Sequence, residues 1–213
     1  AENAGQSEDA TCLRDICERL LATARSFVIG DRMPLIGDIS PDSPPAFLDG
    51  LESGTCAWTK MLPRVDQDHI FMLAQNTSPT PRGALLDDGW LRADFGAWEI
   101  LSRVPPEGWP FMPGHAHQDM TSVVACWRNE PIFIDPGRGA YGETGDAHRY
   151  RSHTVHGGVF IDDVDPYPAN KPYYTEDFRL RLAGPAEVAQ TEQGFSICHA
   201  GYRRIMIEST SSM

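Results

Sequence analysis

From residue 84 onward the chain breaks into short runs rich in β-branched and aromatic residues, each closed by glycine, proline, asparagine or aspartate. Such punctuation leaves no room for long helices and points to antiparallel sheets. Runs at 90–95, 98–104, 114–128, 132–135, 159–161, 178–182, 186–190, 195–200 and 203–208 read as strands. Residues 85–86, an Asp87-Asp88-Gly89 turn and 90–95 read as one hairpin, and Arg128-Asn129-Glu130 reads as the turn of another. The expected fold class is mainly β, an antiparallel β-sandwich preceded by a short α-helical segment.

The first part of the chain has a different texture. Residues 12–28 carry apolar side chains at 13, 16, 17, 20, 21, 24, 27 and 28, the stripe of an amphipathic helix. Thr11 is placed to cap it and Gly30 to end it; residues 1–10 read as a mobile lead-in. Such a stripe needs a partner, either the β-part or helices outside this chain. Residues 45–51 and 56–62 read as short helical pieces, and 77–82 (Thr-Ser-Pro-Thr-Pro-Arg) as a linker. Pro34-Leu35-Ile36-Gly37-Asp38 reads as a structural turn within a loop over 32–45. The expected division is a helical and loop segment over 1–83 and a β-domain over 84–213.

The chemistry gathers between residues 114 and 156, which hold five of the seven histidines. If 114–128 is a strand, His115, His117 and Asp119 share one face. Two imidazoles and a carboxylate there suit a borderline-soft divalent ion such as zinc. Antiparallel pairing with 132–135 brings Asp135 toward the histidine end. His156 stands at the entrance to 159–161, where a loop feeds it into the same site. Trp109 reads either as a core or lid aromatic or as a sugar-stacking platform.

Net charge of −12 and a pI near 4.9 argue against a nucleic-acid or anionic-membrane binder. No apolar run approaches the ~20 residues of a membrane span. The five cysteines are odd in number and widely spaced, without Cys-x-x-Cys, and read as buried reduced thiols. The end at Met213 carries no natural stop, so the chain is expected to be cut there or to be a truncated gene product.

Three motifs in order carry a resemblance: Gly114-His115-Ala116-His117-Gln118-Asp119; Ile134-Asp135-Pro136-Gly137 with Tyr141; and Arg151-Ser152-His153-Thr154-Val155-His156. Together they resemble the C-terminal β-sheet domain of the heparinase II/III-like polysaccharide lyases. The resemblance implies a supersandwich-like domain with zinc held by His117, Asp135 and His156, and Asp119 fixing an imidazole behind them. It makes His115 and Tyr141 the catalytic candidates. Arg149, Tyr150 and Arg151, with Trp109, become candidates for sugar or carboxylate contact. The implied reaction is β-elimination on a uronic acid: loss of the C5 proton and of the glycosidic oxygen at C4. The implied partner is an acidic polysaccharide or oligosaccharide. Arg138, His148, Arg149 and Arg151 are the local cations that would offset the acidic charge. Related lyases are periplasmic, secreted or cytoplasmic, the first two favoured.

The resemblance also implies that residues 1–83 are the end of a helical (α/α) toroid whose main part is missing. The chain alone is then expected to be inactive. The family's Asn-Thr after the late histidine is Gly157-Gly158 here, and its Thr is His153, which puts a substrate contact from that asparagine in doubt. Two other classes stay open: a non-catalytic carbohydrate-binding β-sandwich with a structural metal, and a cupin-like metal enzyme. The latter lacks a well-placed later Glu-His pair.

Overall fold

The computed structural model describes residues 7–39, 49–50, 56–109, 113–142, 144–167, 175–177, 180, 184–191, 194–199 and 202–208. Two compact units form, Ala1–Met33 with Pro45–Pro81 and Pro34–Pro44 with Arg82–Met213. No helix among the described residues is long and apolar enough to cross a membrane.

The first unit holds helices α1 (Ser7–Phe27) and α2 (Arg64–Asn76) and a 3-10 turn at Thr59–Met61. Helix α1 starts inside the expected lead-in, so Thr11 lies within the helix and does not cap it. Glu8 and Asp9 in its first turn and Arg25 in its last suit the helix dipole. Arg25 Nη1 donates to the carbonyls of Ala74, at 2.8 Å, and Thr77, closing the end of α2. Leu13, Ile16 and Leu20 of the apolar stripe of α1 are exposed. Helix α2 was not expected, because Asp66, Gln67, Asp68 and His69 interrupt its apolar pattern. The piece expected over 45–51 lies outside the described residues apart from 49–50. All five cysteines are free; Cys56 and Cys126 are buried, but Cys12 and Cys17 are exposed on α1, against expectation.

The second unit is the sandwich. Strands β1 (Trp90–Phe95), β2 (Trp98–Arg103), β3 (Val123–Trp127) and β4 (Glu130–Phe133) form one antiparallel sheet in that order. Strands β5 (Glu187–Thr191), β6 (Gly194–His199) and β7 (Tyr202–Glu208) form the other. Alternation sets the inner face. Leu91 and Ala93 of β1, Ile100 of β2 and Ala125 of β3 meet Phe195 and Ile197 of β6 in one buried cluster with Val104, Trp109, Met120 and Tyr167. Each large side chain fully buried there contributes about 1.5–3 kcal/mol. The expected turn between β3 and β4 is present: Arg128 and Asn129 have φ of 50° and 67°, the two positive values of a type I′ hairpin.

Three strand expectations fail. Residues 82–87 form helix α3 (Arg82–Asp87), not a hairpin arm. Gly89 follows it at φ +77°, where a Cβ would lie 2.1 Å from the carbonyl oxygen of Val104. Strand β3 begins at Val123, not at residue 114, because Pro113–His115 is a 3-10 turn and an irregular loop follows it. Residues 159–161 form no strand; Ile161 only bridges Val164 around Asp162 and Asp163, both at positive φ. Residues 178–182 lie outside the described residues apart from 180.

Candidate active site and metal centre

The histidine loop is held by polar contacts rather than by a sheet. The Gln118 amide donates to Arg151 O at 2.8 Å, and Gln118 Oε1 accepts from the Tyr167 amide at 2.9 Å. Arg151 Nη1 donates to Gly114 O at 3.3 Å. The loop therefore does not alternate like a strand. His115 and His117 point to different environments, one side chain 80% exposed and the other 1%.

His117 and His156 lie with ring centroids 5.3 Å apart. Asp135 connects to the pair: its Oδ2 is 3.0 Å from His156 Nδ1, and its Oδ1 accepts the Gly137 amide at 2.7 Å. The Asp-Pro-Gly turn makes this possible, with Gly137 at φ +63° packed against Leu35 and the carbonyl of Ile39. Asp119 completes the neighbourhood. Burial pushes its carboxyl up to about 6, with Asp135 adding to the rise and His156 opposing it. Burial and the charge of His156 bring His117 down to about 4, against the pull of Asp135 and Asp38. Burial also disfavours charge on His156, but the bond and charge of Asp135 outweigh it and raise its pKa above the ordinary histidine value.

Whether these residues suit a metal rests on their unmet valences. Among the described residues His117 Nδ1 and His156 Nε2 are buried without a hydrogen-bond partner, and His117 Nε2 has Asp38 Oδ1 at 3.5 Å. A neutral imidazole with a free lone pair is the form that ligates zinc, and buried polar atoms without partners are costly. Among the described residues no three His, Cys, Asp or Glu side chains close into a cage. Two imidazoles and a carboxylate are donors of the kind zinc takes, but His117, Asp135 and His156 do not converge on one point among the described residues.

The second cluster stands beside it. Asp38, from the Pro34-Leu-Ile-Gly-Asp38 turn, places Oδ2 2.5 Å from His115 Nδ1 and accepts from Arg138 Nη1 on Oδ1 at 2.5 Å. The same Oδ1 is 3.5 Å from His117 Nε2. Burial opposes ionisation of Asp38, but the bonds from His115 and Arg138 and their charge hold its pKa below the ordinary carboxylate value. The Arg138 guanidinium lies 4.2 Å from the ring centroid of Tyr141, which is exposed. A cleft of about 580 Å³ opens here, lined by Asp38, Trp90, Arg103, Glu107, Trp109 and His115 among others.

Several expected substrate contacts are placed elsewhere. Trp109 is 2% exposed and stacked on Tyr167 with centroids 4.5 Å apart, so it is a core side chain, not an open sugar platform. Arg151 is buried on the Gly114 carbonyl, where it shapes the histidine loop. Arg149 is exposed on helix α4 (Asp146–Arg151) and does not line the cleft. Arg138 is also buried, and its Nη1 lies 3.5 Å from the same Gly114 carbonyl. Asp38, Trp90 and Arg103 were not anticipated. Asp38 carried one signal, its turn, which looked structural.

The sequence profile described as "Heparinase II/III-like, C-terminal" matches residues 77–207. Similar solved structures include a heparinase III at 14% identity, covering 87% of this chain and 29% of that one, with a TM-score of 0.44. The heparan sulfate lyase HepC from Pedobacter heparinus shows 16% identity, covers 81% of this chain and 26% of that one, and has a TM-score of 0.44. A further heparinase III gene product gives 16%, 68%, 23% and 0.43 in the same terms. This chain thus spans about a quarter of the length of these structures. No curated protein matches it.

Proposed function

The chain belongs to the heparinase II/III-like C-terminal domain family, and on that premise we propose that it is the β-domain of a polysaccharide lyase acting on a uronic-acid-containing polysaccharide by β-elimination. The observation that carries this reading is His115. Its imidazole is exposed at the cleft, bonded to one carboxylate and beside one guanidinium. In the reaction the C5–H bond breaks and its proton passes to a base. The C4–O bond then breaks, the pair forms a C4=C5 double bond, and the departing oxygen takes a proton. An imidazole in hydrogen-bond reach exchanges protons at neutral pH. Tyr141, exposed beside Arg138, is the second candidate for proton transfer.

Arg103 offers the substrate carboxylate a cation. It lines the cleft with its guanidinium 5.6 Å from the centroid of the Trp90 ring, so a sugar face and a charge have adjacent receivers. His117, Asp135 and His156 would hold zinc. When bound it supplies a fixed positive charge that ties the histidine loop to the Asp-Pro-Gly turn. In this proposal it plays no part in proton transfer. Because the chain spans about a quarter of the similar lyases, the rest of the catalytic set is proposed to come from a preceding domain, and this chain alone binds polymer without turning it over. The proposed setting is periplasmic or secreted.

The test is production of unsaturated uronate from alginate or heparan sulfate, read as ultraviolet absorbance of the conjugated product. The full-length protein should generate it, and His115→Ala should lower the rate about 10²- to 10⁴-fold. Binding of these polymers by the full-length protein without unsaturated product would replace the lyase reading with that of a carbohydrate-binding sandwich.

A further inference from the structure

The exposed position of His115 raises a question of aim. It sits at the end of a 3-10 turn, followed by an irregular loop, with its side chain 80% exposed. An imidazole so placed samples several rotamers and both neutral tautomers unless something fixes it. Among the described residues Asp38 does so, with Oδ2 2.5 Å from Nδ1. Arg138 Nη1 lies 3.5 Å from the same nitrogen.

We propose that Asp38 is a positioning residue: it holds His115 by Nδ1–H, so that the Nε2 lone pair faces the cleft and takes the substrate proton. The carboxylate can serve because it is itself held. Arg138, 5% exposed, donates to Asp38 Oδ1 and also through Nε to Ala140 O at 3.2 Å. Its amide donates to Ile39 O at 3.2 Å, fastening the turn that carries Asp38. The order Arg138, Asp38, His115 is that of a base oriented by a third group that is oriented in turn. A carboxylate accepts and does not donate, so it selects the Nδ1–H tautomer. Free histidine favours the opposite tautomer, with the proton on Nε2.

This inference rests on the lyase reading for the proton's destination, but the aim of His115 can be measured without catalysis. Nitrogen–proton correlation NMR of the chain, with His115→Gln to assign the signals, reads the tautomer directly. His115 should carry its proton on Nδ1 in the wild type and shift toward Nε2–H in Asp38→Ala. In full-length protein Asp38→Ala should lower kcat about 10- to 100-fold with little change in KM. If Asp38→Ala does not fold, Asp38→Leu is read in its place; it keeps much of the volume and removes the acceptor from Nδ1. The same His115 tautomer with and without the Asp38 carboxylate would overturn the proposal, as would an Nε2–H wild type. Absence of lyase activity in the full-length wild type would overturn the functional reading instead and leave the NMR result to decide the role of Asp38.

Discussion

His156 Nδ1 lies 3.0 Å from Asp135 Oδ2, with both side chains 1% exposed. Removing one member of a buried pair leaves the other desolvated and uncompensated, which costs about 3–5 kcal/mol. Asp135→Ala should therefore destabilise the metal-free chain by about that amount, measured as a lower urea midpoint at unchanged slope. Asp135→Asn keeps an acceptor oxygen and should cost clearly less. Equal midpoints for wild type and Asp135→Ala would mean the pair is not formed in solution.

Ligation by His117, Asp135 and His156 predicts about one zinc per purified chain, measured by elemental analysis. His117→Ala should lose it. A chelator should then lower the thermal midpoint of the wild type and leave that of His117→Ala unmoved. A folded wild type that takes up no zinc would remove His117, Asp135 and His156 as ligands together.

His153 gives a pH dependence with a definite sign. Its Nδ1 is 2.5 Å from Asp165 and its Nε2 3.1 Å from Asp163. Burial works against the charged ring, but the two bonds and the charge of both aspartates outweigh it and raise the pKa above the ordinary histidine value. A group whose folded value is raised stabilises fully below its unfolded value, about 6.5, and loses that contribution as pH climbs through the folded value. His153→Thr should thus be more harmful at about pH 6 than at about pH 9. Because Asp163 is 84% exposed, added salt should shrink the difference. Denaturation midpoints at both pH values check this; a larger loss at the alkaline end would contradict it.

Trp109 separates packing from recognition. Truncating a buried indole to alanine costs about 3–5 kcal/mol. Trp109→Ala should lose stability on that scale, since the ring fills the core against Tyr167. Trp90→Ala, at a half-buried ring under Arg103, should cost less stability than Trp109→Ala and weaken polymer binding. The reverse pattern would restore Trp109 as the sugar platform.

How far the sequence could be read depended on where neighbours in space were also neighbours along the chain. Strands β1 to β4 were legible from alternation and from the Arg128-Asn129 turn, because each pairs with the next. His117, Asp135 and His156 were grouped because three motifs keep the order of the family they resemble, and the structure does bring His156 to both Asp135 and His117. The face shared by His115 and His117 was misread: Pro113-Gly114 prevents a strand there, and alternation applies only from Val123. Asp87-Asp88-Gly89 looked like a hairpin turn because a helix ending in glycine uses the same residues as a hairpin. Asp38 stayed hidden because 77 residues separate it from His115, and a Pro-x-x-Gly-Asp turn gives no sign of the distant imidazole it will meet.

The turn that carries Asp38 also bears on how such a domain can be inherited. The stretch matching the family profile starts at residue 77, whereas the carboxylate that contacts His115 comes from before it. Recombination that moved only the matched stretch would carry His115 away from its acid, and the recipient would have to furnish another. The unit that must travel together begins by residue 34.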